Sequence, residues 1–170
     1  MGLATVASRA HVALEAPPVS VEVDLAGGLP SFSIVGLPET TVRESKDRVR
    51  AALRNCGFEF PPRRIIVNLA PADLPKSGGR FDLPIALGVL AASGQMAGES
   101  LQGAEFVGEL SLDGRLRPVG GSLSAAAAAA SENVTLFLPA ENGCEASLVS
   151  DARLITAPHL IAVWKHVTGQ

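Results

Sequence analysis

The sequence predicts a mixed α/β domain, of the α+β kind, built around one hydrophobic core. Three observations predict it. Apolar residues make up 47% of the 170 residues and charged residues 18%, a balance that folds rather than staying disordered. Segments with a side-chain period of two are interleaved with segments of period 3.6. The first three strand-like segments follow one another without a helix, which points to antiparallel pairing at the start. A chain of this length has room for one domain or at most two small ones. Such a domain hides about two-thirds of its unfolded surface. No internal repeat or linker divides it. With six Phe, one Trp and no Tyr, the core falls to Val, Leu, Ile and Ala.

The elements follow in order. Leu3 to Ala7, Val19 to Leu25 and Ser31 to Val35 read as strands. In the second, Val19, Val21, Val23 and Leu25 alternate with Ser20, Glu22 and Asp24, the pattern of a strand with one wet face. Gly27-Gly28-Leu29-Pro30 turns the chain into the third strand. Gly36-Leu37-Pro38 then ends the sheet segment and a helix follows, with Thr41 and Glu44 at capping-box spacing. Val42, Val49, Leu53 and Cys56 fall on one side of it, and Gly57 stops it. At 100° per residue, Arg43, Arg50 and Arg54 fall within about 40° of one another, with Lys46 nearby.

Phe58 to Arg64 is a Pro-containing loop. Ile65 to Leu69 is almost wholly apolar, which predicts an interior strand. Ala70 to Gly79 is a loop. Phe81 to Ser93 is too long and apolar for a strand and predicts a buried helix, with Asp82 and Pro84 tolerated in its first turn. Ala104 to Leu112 and Arg115 to Val119 predict a hairpin around a two-residue Asp113-Gly114 turn. Gly120-Gly121 opens an Ala-rich helix, Ser122 to Ala130. Leu136 to Leu138 is a strand, Asn142 to Leu148 a helix and Leu154 to Ala157 a strand. His159 to Val167 is an amphipathic terminal helix carrying Trp164.

Net charge is −3, from 14 basic and 17 acidic residues. That total excludes a uniformly basic nucleic-acid binder but not a local patch. The charge is uneven. Arg43 to Arg80 holds nine basic and four acidic residues, a net +5, and the remainder carries −8. One reading is a solvated helix face with partner carboxylates elsewhere. The other is a patch for phosphate, nucleic acid or an acidic partner. Gly78-Gly79 opens a helix between Lys76 and Arg80, either as an anion-holding turn or as a tight turn whose lysine points to water. The contact candidates are Arg43, Lys46, Arg50, Arg54, Arg63, Arg64, Lys76 and Arg80.

Other chemistry finds little support. The G-x-x-x-x-G-K-[ST] phosphate loop and the G-x-G-x-x-G dinucleotide fingerprint are both absent. His11, His159 and His166 are scattered, the two cysteines form no C-x-x-C pair, and a metal site needs convergent ligands. Cys56, on the apolar helix face, reads as an inert thiol. Ser77 and Ser122 neighbour glycines but have no base at a telling spacing. No apolar run reaches the ~18–20 residues of a membrane span, and the start of the chain has no signal-peptide pattern. Free thiols and these absences predict a cytoplasmic protein with no membrane association.

A family resemblance rests on four segments. They are Ile34-Val35-Gly36-Leu37-Pro38-Glu39-Thr40, Asp47-Arg48-Val49-Arg50-Ala51-Ala52, Ile66 to Lys76 (IVNLAPADLPK) and Gly78 to Ala86 (GGRFDLPIA). Together they resemble the N-terminal domain of the ComM (YifB) family, magnesium-chelatase-like AAA+ ATPases. The resemblance covers essentially the whole chain. It implies a single domain of the ribosomal S5 domain 2-like fold, similar to the Lon proteolytic domain. It implies ATP and Mg for a motor lying beyond residue 170, and no cofactor in this chain. It further implies hexameric assembly, association with the AAA+ module of the same polypeptide, and DNA as partner during branch migration in natural transformation. Where the Lon-type sequence carries its Ser nucleophile, this chain has Arg80. Where Lon has a lysine after Gly-Gly-Leu, this chain has Gly120-Gly121-Ser122-Leu123-Ser124. Both halves of a Ser–Lys dyad are therefore missing, and peptidase activity is not expected. Scarce aromatics favour phosphate contacts over base stacking.

Overall fold

The computed structural model describes residues 2–170. One seven-stranded sheet forms its centre, in the order β3-β4-β2-β1-β5-β8-β9. The strands are β1 (Leu3–Arg9), β2 (Pro18–Ala26), β3 (Ser31–Val35), β4 (Arg64–Ala70), β5 (Ala104–Phe106), β8 (Thr135–Pro139) and β9 (Arg153–Ala157). β6 (Glu109–Leu110) and β7 (Leu116–Arg117) make a separate small ladder. The predicted mixed α/β architecture stands, with a mainly parallel sheet. β2 alone runs against the other six strands. The carboxyl ends of those six therefore gather along one edge of the sheet.

The antiparallel start holds for β1 and β2, paired from Leu3 with Asp24 to Arg9 with Pro18. β3 does not continue it. β4 inserts between β2 and β3 and pairs parallel with β3. This placement gives β4 a neighbour on each side, and buries Ile65, Val67 and Leu69 completely.

The helices sort by composition. α3 (Asp82–Ala92) is buried at ten of its eleven positions, as its unbroken apolar run requires. It lies on β1 and β2, so closely that a Cβ on Gly88 would meet the Val23 side chain; Leu83, Ile85, Leu87, Val89 and Leu90 are each fully buried and worth about 1.5–3 kcal/mol of burial. α1 (Thr40–Arg43) and α2 (Ser45–Asn55) are two helices, with Glu44 between them. No capping box forms. The Thr41 hydroxyl instead accepts the Gly78 N–H at 2.9 Å, tying the helix start to the loop before α3. α2 buries Val49, Ala52 and Leu53 against the main core.

α4 (Ser122–Ser131) packs its alanines with Leu136, Leu138 and Ala146 in a second, smaller core. Small side chains let a helix approach a strand closely. The predicted Asn142–Leu148 helix is shorter: a 3₁₀ turn at Ala140–Asn142 and then α5 (Gly143–Ala146). α6 (Leu160–Thr168) begins one residue later than expected because His159 caps it, its Nδ1 accepting the Ile161 N–H at 3.1 Å. That bond leaves the proton on Nε2, 3.1 Å from the Asp113 carbonyl.

The long predicted hairpin is corrected. Ala104–Phe106 belongs to the central sheet as β5, and only Glu109–Leu110 pairs with Leu116–Arg117. The chain leaves the sheet after Phe106, where the Gly108 N–H bonds the Arg80 carbonyl instead. The Ser111 N–H bonds the Arg115 carbonyl and the Gly114 N–H bonds the Ser111 carbonyl. The loop is thus three residues, with Gly114 at φ +93° supplying the left-handed position.

Candidate functional site

α2 carries Arg50 and Arg54 on the side away from its buried face. Arg50 and Arg54 are four residues apart and so lie one above the other, where like charges repel by a few tenths of a kcal/mol. An aromatic ring offsets this. The Arg50 guanidinium carbon is 5.0 Å from the Phe60 ring centroid and that of Arg54 is 5.9 Å away. Such contacts contribute about 0.5–1 kcal/mol at exposed sites. Phe60 is held in turn by Phe32, stacked at 5.9 Å and 28°. Arg63 approaches from the loop before β4. Together Arg50, Arg54, Arg63, Phe60, Pro30 and Ser31 line a cavity of about 210 Å³. The Arg50 Nε is buried there without a hydrogen-bond partner.

The other surface candidates stand apart. Glu44 interrupts the helix and removes Arg43 from the Arg50–Arg54 face; Arg43 lines a different recess with Pro38, Glu39, Thr40 and Thr41. Lys46 is half-buried at the start of α2. Arg64 is exposed at the first position of β4 and alternates with Ile65, which faces the core. Its side chain therefore stands on the opposite face of the sheet from α2. Among the described residues, Arg43, Lys46, Arg50, Arg54, Arg63 and Arg64 form no ion pair; the four ion pairs involve Arg9, Arg48 and Arg115.

Lys76 and Arg80 are corrected. They are buried, at 0% and 5% exposure, and cannot meet a macromolecule at the surface. Both sit at the edge where parallel strands end, and both satisfy carbonyls rather than carboxylates. The Lys76 Nζ donates to the carbonyl of Gly36, after β3, at 2.6 Å, and to that of Pro71, after β4. The close approach depends on Gly36: at φ +105° a Cβ would lie 2.1 Å from the Leu69 carbonyl oxygen. The Arg80 Nε donates to the Arg9 carbonyl, and its Nη1 to that of Gly120, each at 2.8 Å. Burial lowers both cations, Arg80 to about 10, so Arg80 remains charged at neutral pH.

Arg80 also links the two segments that flank the expected dyad position. Its guanidinium spans from the segment where a nucleophile would stand to the segment where a lysine would stand. Ser122 is fully buried and its Oγ has no partner. Ser77 is exposed.

Two charged clusters carried no sequence signal. Asp82 is fully buried, and accepts from Arg48 Nε at 2.6 Å, from the Ser45 hydroxyl and from the Leu110 N–H at 3.1 Å. Burial still raises its carboxyl above the ordinary value, against the opposing pull of Arg48. The cluster ties α2 and β6 to the start of α3. Arg9, 2% exposed, bonds Glu105 at 2.9 Å and lies 3.0 Å from Glu132. Each partner lies at least 28 residues away in sequence, beyond the reach of local pattern. Cys56 is half-buried, its thiol pushed up by burial and by Asp113. Among the described residues no cluster of His, Cys, Asp or Glu could hold a metal ion, and no helix is long and apolar enough to cross a membrane.

The fold and this arrangement define a mixed α/β domain whose cations divide between internal ties and an unpaired surface. Comparison with known proteins carries the assignment further. The family model described as subunit ChlI of Mg-chelatase matches residues 21–142, and the chain belongs to that family, in its ComM/YifB branch. It is 52% identical over all 170 residues to competence protein ComM of Haemophilus influenzae, covering 33% of that protein. It is 48% identical over its whole length to YifB of Salmonella typhimurium, covering 34%. Over 150 residues it is 44% identical to the Mycobacterium tuberculosis protein Rv2897c, covering 88% of this chain and 30% of that one. The chain spans about a third of the length of the curated relatives it matches.

Proposed function

We propose that this chain is the non-catalytic N-terminal domain of a ComM-like hexameric AAA+ ATPase that drives DNA branch migration in natural transformation. In this reading it supplies DNA-backbone contacts and helps assemble the ring. ATP and Mg act in a motor module elsewhere in the polypeptide, and the protein works in the cytoplasm. Whole-chain identity to a competence protein supports the family context. The observation that carries the DNA contact is the set of unpaired cations on α2 and the loop before β4, Arg50, Arg54 and Arg63 around one cavity. Unpaired Lys and Arg bind phosphates without sequence preference and with strong salt dependence.

The test is fluorescence anisotropy of labelled DNA with this chain, from low to high salt. Contact through three arginines predicts a log–log salt slope of about −2 to −3. Charge reversal of Arg50 and Arg54 should abolish binding at moderate salt. No binding at low salt would remove the DNA role. A second reading, a protein-interaction module without DNA contact, draws on the exposed leucines Leu14 and Leu37, 91% and 53% accessible. Light scattering decides between them: a monomeric chain that binds DNA excludes the second reading.

A further inference from the structure

We infer that the Arg50–Arg54–Arg63 cavity holds one phosphomonoester group, so that the domain prefers a DNA strand end bearing a terminal phosphate to an uninterrupted backbone. The inference rests on the DNA-contact reading and narrows it to one chemical group.

Four observations carry it. The cavity, about 210 Å³, is smaller than the ~300–1,000 Å³ of ordinary ligand pockets and suits a small anion. Its walls are built with Pro30, Pro61 and Pro62, which lack N–H groups and fix the local backbone. Its only ionisable residues are the three arginines, and none of them is ion-paired among the described residues. The nearest acid in sequence, Glu59, does not line it; Glu59 lines an adjoining recess that shares Pro61, Pro62 and Arg63 with the cavity. Finally, Arg50 is pre-set: its Nε is covered and unpartnered while its plane lies near the Phe60 ring. Part of the cost of desolvating and ordering that side chain is therefore met before any ligand arrives.

The stoichiometry of oxygens selects the monoester. A phosphodiester offers two free oxygens and one negative charge, and both ester arms must leave the site. A terminal phosphate offers three free oxygens and a charge of about −1.5 to −2 at neutral pH, with one arm to accommodate. Three guanidinium forks match three oxygens, and charge-assisted bonds of this type are among the strongest available.

The experiment compares one oligonucleotide sequence in three forms: 5′-phosphorylated, 3′-phosphorylated and unphosphorylated. Each is titrated with this chain at pH 7.5 and pH 5.5, with inorganic phosphate as competitor. At pH 7.5 at least one phosphorylated form should bind about tenfold more tightly. The ratio should shrink at pH 5.5, because the second phosphate proton titrates near 6. Arg54→Gln with Arg63→Gln, both exposed positions, should bring the ratio to about one while circular dichroism and melting stay unchanged. Equal binding of the three forms at pH 7.5, or a ratio indifferent to those substitutions, overturns the inference and leaves general DNA contact standing. Competition by inorganic phosphate without preference for phosphorylated ends assigns the cavity to the free anion and likewise overturns the strand-end reading. Binding of none of the oligonucleotides at low salt overturns both readings.

Discussion

Cations at the two ends of the sheet behave as opposites. At the carboxyl ends of β1, β3 and β4, Lys76 and Arg80 are sealed from water and bound to backbone carbonyls. Near the amino ends of β3 and β4, Arg50, Arg54 and Arg63 surround a cavity with no carboxylate among its lining residues. All five lie within one stretch of net charge +5. The difference lies in what each end of a strand offers. Where strands stop, carbonyls of Arg9, Gly36 and Pro71 are left without ladder partners, and a buried cation satisfies them. On the outer face of α2 no such acceptors exist, so the arginines rest on an aromatic ring and keep their charge available. A basic count therefore measures two separate things, internal ties and exposed potential.

Removal of a buried tie is the strongest way to test that contrast. Arg80→Ala should cost about 3–5 kcal/mol, since it strands two carbonyls and opens a cavity. Urea unfolding monitors it, and a loss under 1 kcal/mol would show that the tie is not structural. Lys76→Met keeps the length and removes the donor. It should cost about 2–3 kcal/mol by the same measurement. The surface pair gives the opposite pattern. Arg54→Gln with Arg63→Gln should leave stability within about 0.5 kcal/mol and reduce the DNA salt slope by about two. A destabilised double variant would erase the distinction between the two ends.

The smallest effect concerns an exposed cation that does have a partner. Asp113 sits beside Arg115, with N–H and hydroxyl bonds from Arg115 and Ser111, and its carboxyl is held down from 3.8 to about 2. A carboxyl lowered on folding favours the folded turn above its unfolded value. That contribution is complete above about pH 4 and lost as pH falls towards 2. The Arg115 amide shift, followed by NMR, should titrate with a midpoint near 2. A midpoint near 4 would mean the turn bonds are not formed in solution.

Much of the fold was legible because it rests on local pattern. The alternation in β2 and the unbroken apolar run of α3 each determine which faces are buried. The hairpin over 104–119 was misread for a specific reason. Glu105 is 5% exposed and paired with Arg9, so a charged residue that signals a wet face lies in fact in the interior. The Arg50–Arg54 face was legible from helical period. Phe60 beneath it and Arg63 beside it were not, since the eight residues between α2 and β4 bring them round. Lys76 and Arg80 escaped for the same reason in reverse: their acceptors lie 40 and 71 residues away at Gly36 and Arg9.

By itself the sequence determined the class of fold, the family, the charge asymmetry and the arginine stripe of α2, because composition, period and motif are properties of neighbours along the chain. Only the tertiary structure decided that β4 separates β2 from β3 and that two of eight candidate cations are internal. It alone decided that three of the remaining six share one cavity. Those outcomes depend on which carbonyls and rings meet across the sheet, and free energy of burial is set by that meeting and not by the order of residues.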